Sequence, residues 1–158
     1  MDKPTHRVLV VCTGNICRSP MAEGMLKQRL SNALTQAVTI SSAGTHALHG
    51  NQAQPFAIQV MQRRGIDISE HRARLAGPAL IRAADLIVVM EALHARMIRR
   101  TVLNVRAKVR LLSTFGPDPE LKEIPDPMGA PLKVYEACAD LLQPCVEGLI
   151  TSLEQTLR

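Results

Sequence analysis

Two continuous apolar runs constrain the fold of this chain more than any other feature of its sequence. VLVVC occupies Val8–Cys12, and ADLIVVM occupies Ala84–Met90. A short apolar run without polar alternation is typical of a strand that is buried on both faces of a sheet. Because helical segments separate these runs, we expect right-handed βαβ units and a small parallel sheet covered by helices on both faces.

The remaining segments extend this α/β pattern. AVTISSAG (residues 37–44) alternates like a strand, and Lys108–Leu112 is a shorter candidate strand. Apolar residues at helical spacing predict helices over Arg18–Leu30, residues 54–64, residues 91–100 and a long C-terminal segment. Five prolines predict an irregular loop over residues 115–131.

The 158 residues suffice for one domain, residues 1–158, with a buried core. Only five apolar residues follow the N-terminal MDKPTHR, so we expect neither a signal peptide nor a membrane span. Four cysteines without an export signal predict reduced thiols and a cytoplasmic location.

The net charge of +5 is compatible with an anionic partner. Nucleic acid is not expected, because the chain has only two Phe and one Tyr to stack on bases and no nucleic-acid motif. The sequence leaves two interpretations of the basic residues open, namely a solvated surface and a docking surface for acidic or phosphorylated protein segments.

The residues after the first predicted strand form a candidate anion site. Ligands of parallel α/β sheets bind beyond the carboxyl ends of the strands, where Cys12 lies. Five consecutive backbone N–H groups follow, those of Thr13, Gly14, Asn15, Ile16 and Cys17. Gly14 and Asn15 tolerate left-handed conformations that would turn these groups inward. Such a nest at a helix N-terminus binds anions.

The side chains around this loop indicate nucleophilic attack on phosphorus. The nest favours an anionic sulfur at Cys12, and the planar fork of Arg18 matches two oxygens of a tetrahedral oxyanion. The predicted product of attack is a phosphocysteine, with the charge on the phosphoryl oxygens stabilised by the N–H groups and Arg18. Ser19 is placed to donate its hydroxyl to the sulfur.

Two simpler interpretations of the cysteines explain less. A lone cysteine after a strand is usually a packing residue, but packing requires neither the nest nor Arg18. C-x4-C lacks zinc spacing and no second Cys/His pair accompanies it, so we expect no metal. Cys138 and Cys145, seven residues apart on an apolar stripe, are predicted core residues.

The string VCTGNICRSPMAE resembles the signature of the low-molecular-weight protein tyrosine phosphatase family, V-C-x-G-N-I-C-R-S-P-x-A-E, at every defined position. The resemblance extends over essentially the whole chain and includes SAGT at Ser42–Thr45, a histidine at His71 and a late DP at Asp126–Pro127. It implies a bacterial member with a three-layer α/β fold. The expected features are a four-stranded parallel sheet, helices on both faces, a phosphate-binding loop after the first strand, a two-step mechanism and no cofactor.

A leaving alkoxide or phenolate needs a proton, which the family supplies from a late D-P dipeptide. Asp118–Pro119 and Asp126–Pro127 both have this form, and Asp-Pro is also common in turns. EIPDP matches the family's position before the last helix, so Asp126 is the predicted acid, and the base of the second step. Asp118 is the predicted turn residue.

The resemblance also implies roles for residues around the loop. Asn15 would be held in a strained conformation by hydrogen bonds to Ser19, Ser42 and His71. Cys17 would form a reversible disulfide with the nucleophile and protect it from over-oxidation.

Glu91 has two possible roles, as an acid near the base of the site or as a helix cap. The pocket rim would be formed by His46, Leu48 and Met128. Many members of the family have aromatic residues at these places, so we expect weaker stacking on a phosphotyrosine ring.

Two related chemistries remain as alternatives. Arsenate reductases on this fold need additional cysteines in the middle of the chain, and none occurs between Cys17 and Cys138. Protein arginine phosphatases of the family have threonine where this chain has Ile16, so phosphotyrosine is the predicted target. The implied partner is a phosphotyrosyl protein, with a bacterial tyrosine autokinase of exopolysaccharide export as a candidate. Inorganic phosphate and other oxyanions are the expected inhibitors.

Overall fold

A computed structural model describes residues 5–157 and contains one four-stranded parallel sheet. The strands are β1 (His6–Cys12), β2 (Val38–Gly44), β3 (Leu86–Val89) and β4 (Lys108–Leu111), in the order β2-β1-β3-β4. The predicted α/β architecture is confirmed. The two apolar runs form the central strands, where both faces are covered, whereas the edge strands include exposed residues.

Six α-helices connect or flank these strands: α1 (Arg18–Arg29), α2 (Asn32–Thr35), α3 (Pro55–Arg63), α4 (Pro78–Ala83), α5 (Ala92–Thr101) and α6 (Leu132–Thr156). The sequence did not predict α2 and α4, which are too short to show a helical period. A 3-10 helix over Leu112–Phe115 takes the place of the expected end of β4 and the start of the proline-rich loop.

The helices form a layer on each face of the sheet. Met25 of α1, Val60 of α3 and Leu142 of α6 belong to the core cluster that includes Val10 of β1. Ile81 of α4 and Ile98 of α5 belong to a second cluster, which includes Leu9 and Val11 from the opposite side of β1. The alternation of side chains along β1 therefore supplies both cores.

The predicted core cysteines lie in the first of these clusters. Cys138 is 4% exposed and Cys145 is fully buried. Burial raises the pKa of Cys138 to about 12 and also raises the pKa of Cys145, so both side chains are neutral thiols at physiological pH.

The carboxyl ends of β1, β2 and β3 lie at one edge of the sheet and bring three loops together. A fourth segment is attached there, because the backbone N–H of Ile124 donates to the carbonyl of Met90 at 3.0 Å. This hydrogen bond holds the loop before α6 against the end of β3. The predicted nucleophile and the late acid, 114 residues apart, are therefore attached to the same edge.

Candidate active site

The loop between β1 and α1 presents a row of backbone N–H donors. Among residues 5–157, no acceptor receives a hydrogen bond from the backbone N–H groups of residues 13–17. Asn15 adopts a φ of 57°, in the left-handed region that asparagine tolerates. The sequence also named Gly14 as a residue that tolerates this conformation, but in the loop only Asn15 has a positive φ.

The buried side chain of Asn15 connects the loop to three other segments. Its Nδ2 donates to Ser19 Oγ at 2.7 Å and to Ser42 Oγ at 2.9 Å. Its Oδ1 accepts from the backbone N–H of Arg74 at 3.0 Å. The backbone carbonyl of Asn15 accepts from His71 Nε2 at 2.7 Å. These bonds fix the one strained residue of the loop from β2, α1 and the segment after α3.

The direction of these hydrogen bonds determines what Ser19 does at Cys12. The Sγ atom of Cys12 lies 3.0 Å from Ser19 Oγ, and both residues are buried. Because Ser19 Oγ already accepts a hydrogen bond from Asn15 Nδ2, its own hydroxyl is free to donate a hydrogen bond to a sulfur anion. Asn15 therefore orients Ser19 as a donor to Cys12.

Arg18 is almost completely buried, at 1% exposure, and is held on one side of its guanidinium. Its NH1 donates to Glu91 Oε2 at 2.6 Å and to the carbonyl of Ile124 at 2.7 Å. Its NH2 makes longer contacts, 3.4 Å to Thr13 Oγ1 and 3.5 Å to Asp126 Oδ2. NH1 thus fixes the plane of the group, and NH2 retains the capacity to bind a phosphate oxygen.

The structure distinguishes the two D-P dipeptides. Asp126 accepts the backbone N–H of Met128 at its Oδ1, which leaves Oδ2 directed to Arg18. Asp118 instead accepts the backbone N–H of Glu120 at 2.9 Å, within its own turn. Asp126 is the aspartate that the fold brings to the loop.

Glu91 has both of the roles that the sequence left open. It is the N-cap residue of α5, and its carboxylate holds Arg18. Its backbone N–H donates to His94 Nδ1 at 3.1 Å, so His94 Nε2 carries the proton and donates to Thr13 Oγ1 at 2.9 Å. Burial, followed by the charge of Arg18, lowers the pKa of His94 to about 4.

His94 should make the stability of the protein depend on pH. Because its folded-state pKa lies below the usual value of 6.5, the unfolded chain takes up this proton first as the pH falls. We expect the wild type to lose about 2 kcal/mol of unfolding free energy between pH 7 and pH 4.5 relative to His94→Asn, which does not titrate. Urea denaturation of both proteins at the two pH values measures this difference, and identical pH dependence would contradict it.

Cys17 differs from Cys12 in its surroundings. Its Sγ lies 3.5 Å from the hydroxyl of Tyr135, and burial raises its pKa to about 11. Cys12 and Cys17 are both free of a disulfide bond in this structure, so the protective disulfide stays a prediction. Within residues 5–157, no group of three or more His, Cys, Asp or Glu side chains is arranged to hold a metal ion.

The predicted rim residues lie on segments that are attached to the loop. The backbone N–H of His46 donates to the carbonyl of Thr13 at 2.9 Å, and Met128 is bonded to Asp126. Leu48 and Met128 are 71% and 52% exposed. Beside Ile16 lies an open groove of about 510 Å³, lined largely by amides. The amide side chains are Asn51, Gln52, Gln54, Gln59 and Gln62.

Gly44, at the end of β2, allows the close approach of this loop. A Cβ atom there would lie 2.4 Å from the carbonyl oxygen of Thr13 and 2.9 Å from the backbone N of Asn15. We expect Gly44→Ala to displace the loop and lower kcat/KM for an aryl phosphate by about 100-fold. Gly77→Ala is the matched control, because no atom of residues 5–157, apart from its own chain neighbours, would lie within 4 Å of the added Cβ. Equal activity of the two variants would show that the close approach is not needed.

Three residues of the site were not assigned a role from the sequence. Glu23 Oε1 accepts a hydrogen bond from the Ser42 hydroxyl at 2.5 Å. The backbone N–H of Arg74 donates a hydrogen bond to Asn15, and His94 is hydrogen-bonded to Thr13. Glu23 was visible as the last defined position of the VCTGNICRSPMAE string. His94 stands three residues after Glu91, the spacing of a reciprocal helix cap. The Arg74 contact uses a backbone N–H and leaves no signal in the sequence.

Comparisons with known proteins give the family of this chain. A family model described as low molecular weight phosphotyrosine protein phosphatase matches residues 7–158. The Ralstonia nicotianae protein named "Probable low molecular weight protein-tyrosine-phosphatase EpsP" is 39% identical over 143 residues, covering 90% of this chain and 92% of its own.

Solved structures show the same fold. The YwlE arginine phosphatase of Geobacillus stearothermophilus superimposes with a TM-score of 0.84 at 32% identity, over 96% of this chain and 94% of that one. The tyrosine phosphatase Wzb of Escherichia coli K30, in complex with sulphate, gives a TM-score of 0.82 at 35% identity, over 95% and 99%. With the family model matching nearly its full length, the chain belongs to the low molecular weight phosphotyrosine protein phosphatase family.

Proposed function

We propose that this chain hydrolyses phosphotyrosine in proteins, with Cys12 as the nucleophile, Arg18 as the phosphate clamp and Asp126 as the general acid and base. The observation that carries the proposal is the convergence of these three side chains on one set of free backbone N–H groups. A structural role alone would not require a buried arginine whose NH2 lies between the loop and a carboxylate.

In the first step, the Cys12 sulfur attacks phosphorus and the bond from phosphorus to the phenolic oxygen breaks. A protonated Asp126 gives its proton to that oxygen, so tyrosine leaves as the neutral phenol. The N–H groups of residues 13–17 and Arg18 bind the phosphoryl oxygens as their charge is redistributed. The Ser19 hydroxyl lies 3.0 Å from the sulfur, within reach to donate a hydrogen bond to it.

In the second step, water attacks the phosphocysteine. Asp126, now a carboxylate, takes a proton from the water, while the S–P bond breaks and returns the electron pair to Cys12. The Ser19 hydroxyl, oriented by Asn15, stabilises the departing thiolate. Inorganic phosphate is released and Asp126 is protonated again, so the cycle consumes one water.

Ile16 supports phosphotyrosine as the target, and the similarity to an arginine phosphatase makes phosphoarginine the second candidate. We expect the wild type to hydrolyse a phosphotyrosyl peptide with a kcat/KM at least about 100-fold above that for the matched phosphoarginyl peptide. Ile16→Thr should reduce this ratio, because the apolar side chain beside the groove is replaced by a smaller polar one. A preference of the wild type for phosphoarginine would refute the assignment.

The named relatives support a phosphotyrosyl protein as the substrate, and sulphate in the Wzb complex supports phosphate-like oxyanions as inhibitors. Among residues 5–157, no helix has the length and apolarity to cross a membrane. We propose a cytoplasmic enzyme acting on a tyrosine autokinase of exopolysaccharide export. Trapping with Cys12→Ser, which binds but does not turn over substrate, tests this partner. Failure to recover a tyrosine kinase would contradict it.

A further inference from the structure

The excess positive charge of the chain is confined to one segment. Residues 82–110 contain seven of the 19 basic and two of the 14 acidic side chains, a net charge of +5. This equals the net charge of the whole chain, so the other residues are balanced. A charge excess of this size in under a fifth of the sequence is a local property of the surface rather than a general one.

These side chains lie on α4, on α5, on the edge strand β4 and on the segment just before β4. All seven are exposed, and the four on α4 and α5 form what we call the basic face, which comprises Arg82, Arg96, Arg99 and Arg100. Lys108 and Arg110 point to the opposite face of the sheet, because they alternate along β4 with Val109, which belongs to the core cluster under α4 and α5. None of the four arginines of the basic face forms an ion pair with any residue in the range 5–157. Arg106 is paired with Asp85 at 2.9 Å.

Three arginines of the opposite helical layer, in contrast, form ion pairs within the molecule. Arg29 and the adjacent pair Arg63 and Arg64 each bind an acidic side chain of α6. The acidic partners are Glu147, Glu136 and Asp140, respectively. These three arginines are therefore neutralised within the molecule, whereas the four arginines of the basic face are not.

The basic face is connected to the active site through α5. The helix begins directly after Glu91, which binds Arg18. At about 1.5 Å of rise per residue, Arg96 lies about 7 Å and Arg100 about 13 Å along the axis from Glu91. An extended polypeptide covers 13 Å in about four residues. A substrate with its phosphorylated residue at Cys12 thus reaches this surface within a short segment.

We infer that the basic face binds an acidic segment of the phosphoprotein substrate, close in sequence to its phosphorylated residue. This inference rests on the proposed phosphatase function. Guanidinium groups bind carboxylates through paired hydrogen bonds, and unpaired arginines are available for this without first breaking an internal ion pair. A polypeptide is favoured over nucleic acid because the basic face contains no aromatic side chain on which bases would stack.

The test compares two phosphotyrosyl peptides that differ only in four Glu or four Gln residues within five positions of the phosphotyrosine. We expect wild-type kcat/KM to be about tenfold higher for the Glu peptide at low salt, mainly through KM, and the preference to shrink at high salt. Arg96→Gln/Arg99→Gln/Arg100→Gln should abolish the preference. Arg29→Gln/Arg63→Gln/Arg64→Gln removes the same charge from the other layer and should retain it.

Hydrolysis of p-nitrophenyl phosphate, which has no flanking segment, separates this inference from the proposed function. Equal rates in all three proteins are expected, and absence of hydrolysis in the wild type would refute the phosphatase itself. With hydrolysis intact, an equal rate for the two peptides, or equal loss of preference in both triple variants, would overturn the inference. Tighter binding of the basic face to an oligonucleotide or to phosphatidylserine vesicles than to the Glu peptide would also overturn it.

Discussion

Cys12→Ser is expected to lower kcat for p-nitrophenyl phosphate by about 10⁴-fold or more, because a serine hydroxyl at this position has no base to activate it. The side chain that hydrogen-bonds the sulfur is Ser19, whose hydroxyl Asn15 orients as a donor rather than an acceptor. Binding should persist, since Arg18 and the backbone N–H groups remain. Steady-state kinetics and the affinity for inorganic phosphate measure the two effects separately.

Cys17→Ser is the matched control for this prediction. Cys17 lies in the same loop, but burial raises its pKa to about 11 and its sulfur contacts Tyr135. A serine there can keep the contact with the tyrosine hydroxyl, so we expect kcat to change by less than about fivefold. If Cys17→Ser abolished turnover and Cys12→Ser did not, the assignment of the nucleophile would be wrong.

Asp126→Asn is expected to lower kcat/KM for a phosphotyrosyl peptide by about 100- to 1,000-fold, because the amide cannot protonate the phenolic oxygen. The loss should be much smaller for p-nitrophenyl phosphate, whose leaving group departs without a proton. The amide retains an oxygen to accept the N–H of Met128, so the loop should keep its conformation. Comparison of kcat/KM for the two substrates measures the effect.

Asp118→Asn provides the matched control, since Asp118 has the same D-P context and its described bond lies within its own turn. It should affect both substrates by less than about twofold. Equal losses for the two substrates in Asp126→Asn would mean that Asp126 positions the loop or Arg18 rather than transferring a proton.

Much of the fold was predictable because buried strands and the nucleophile loop depend on local sequence. VLVVC and ADLIVVM became the central strands, and the Pro-rich segment is irregular after its first residue. The short helix α4 was not predictable, since its six residues form one face against the sheet only in the context of the fold. In α6, Tyr135 is buried beside Cys17, whereas the neighbouring Val134 is 37% exposed.

The site likewise contains residues that could be predicted from local sequence and residues whose roles depend on the fold. Cys12, Arg18 and Ser19 lie within eight residues, so their grouping follows from one loop and one helix start. Asp126 was found only through resemblance, because its approach depends on the hydrogen bond between Ile124 and Met90. His94 was missed, since its role depends on burial and on a tautomer that only the three-dimensional contacts reveal.

The most direct test of the central claim is detection of the phosphocysteine. In Asp126→Asn, p-nitrophenyl phosphate should still phosphorylate the enzyme, while loss of the base slows hydrolysis of the intermediate. Rapid acid quenching followed by peptide mass spectrometry should therefore find one phosphoryl group on the peptide that contains Cys12, also in a Cys17→Ser background. Turnover without a covalent phosphoryl group, or a phosphoryl group on any residue other than Cys12, would contradict the account.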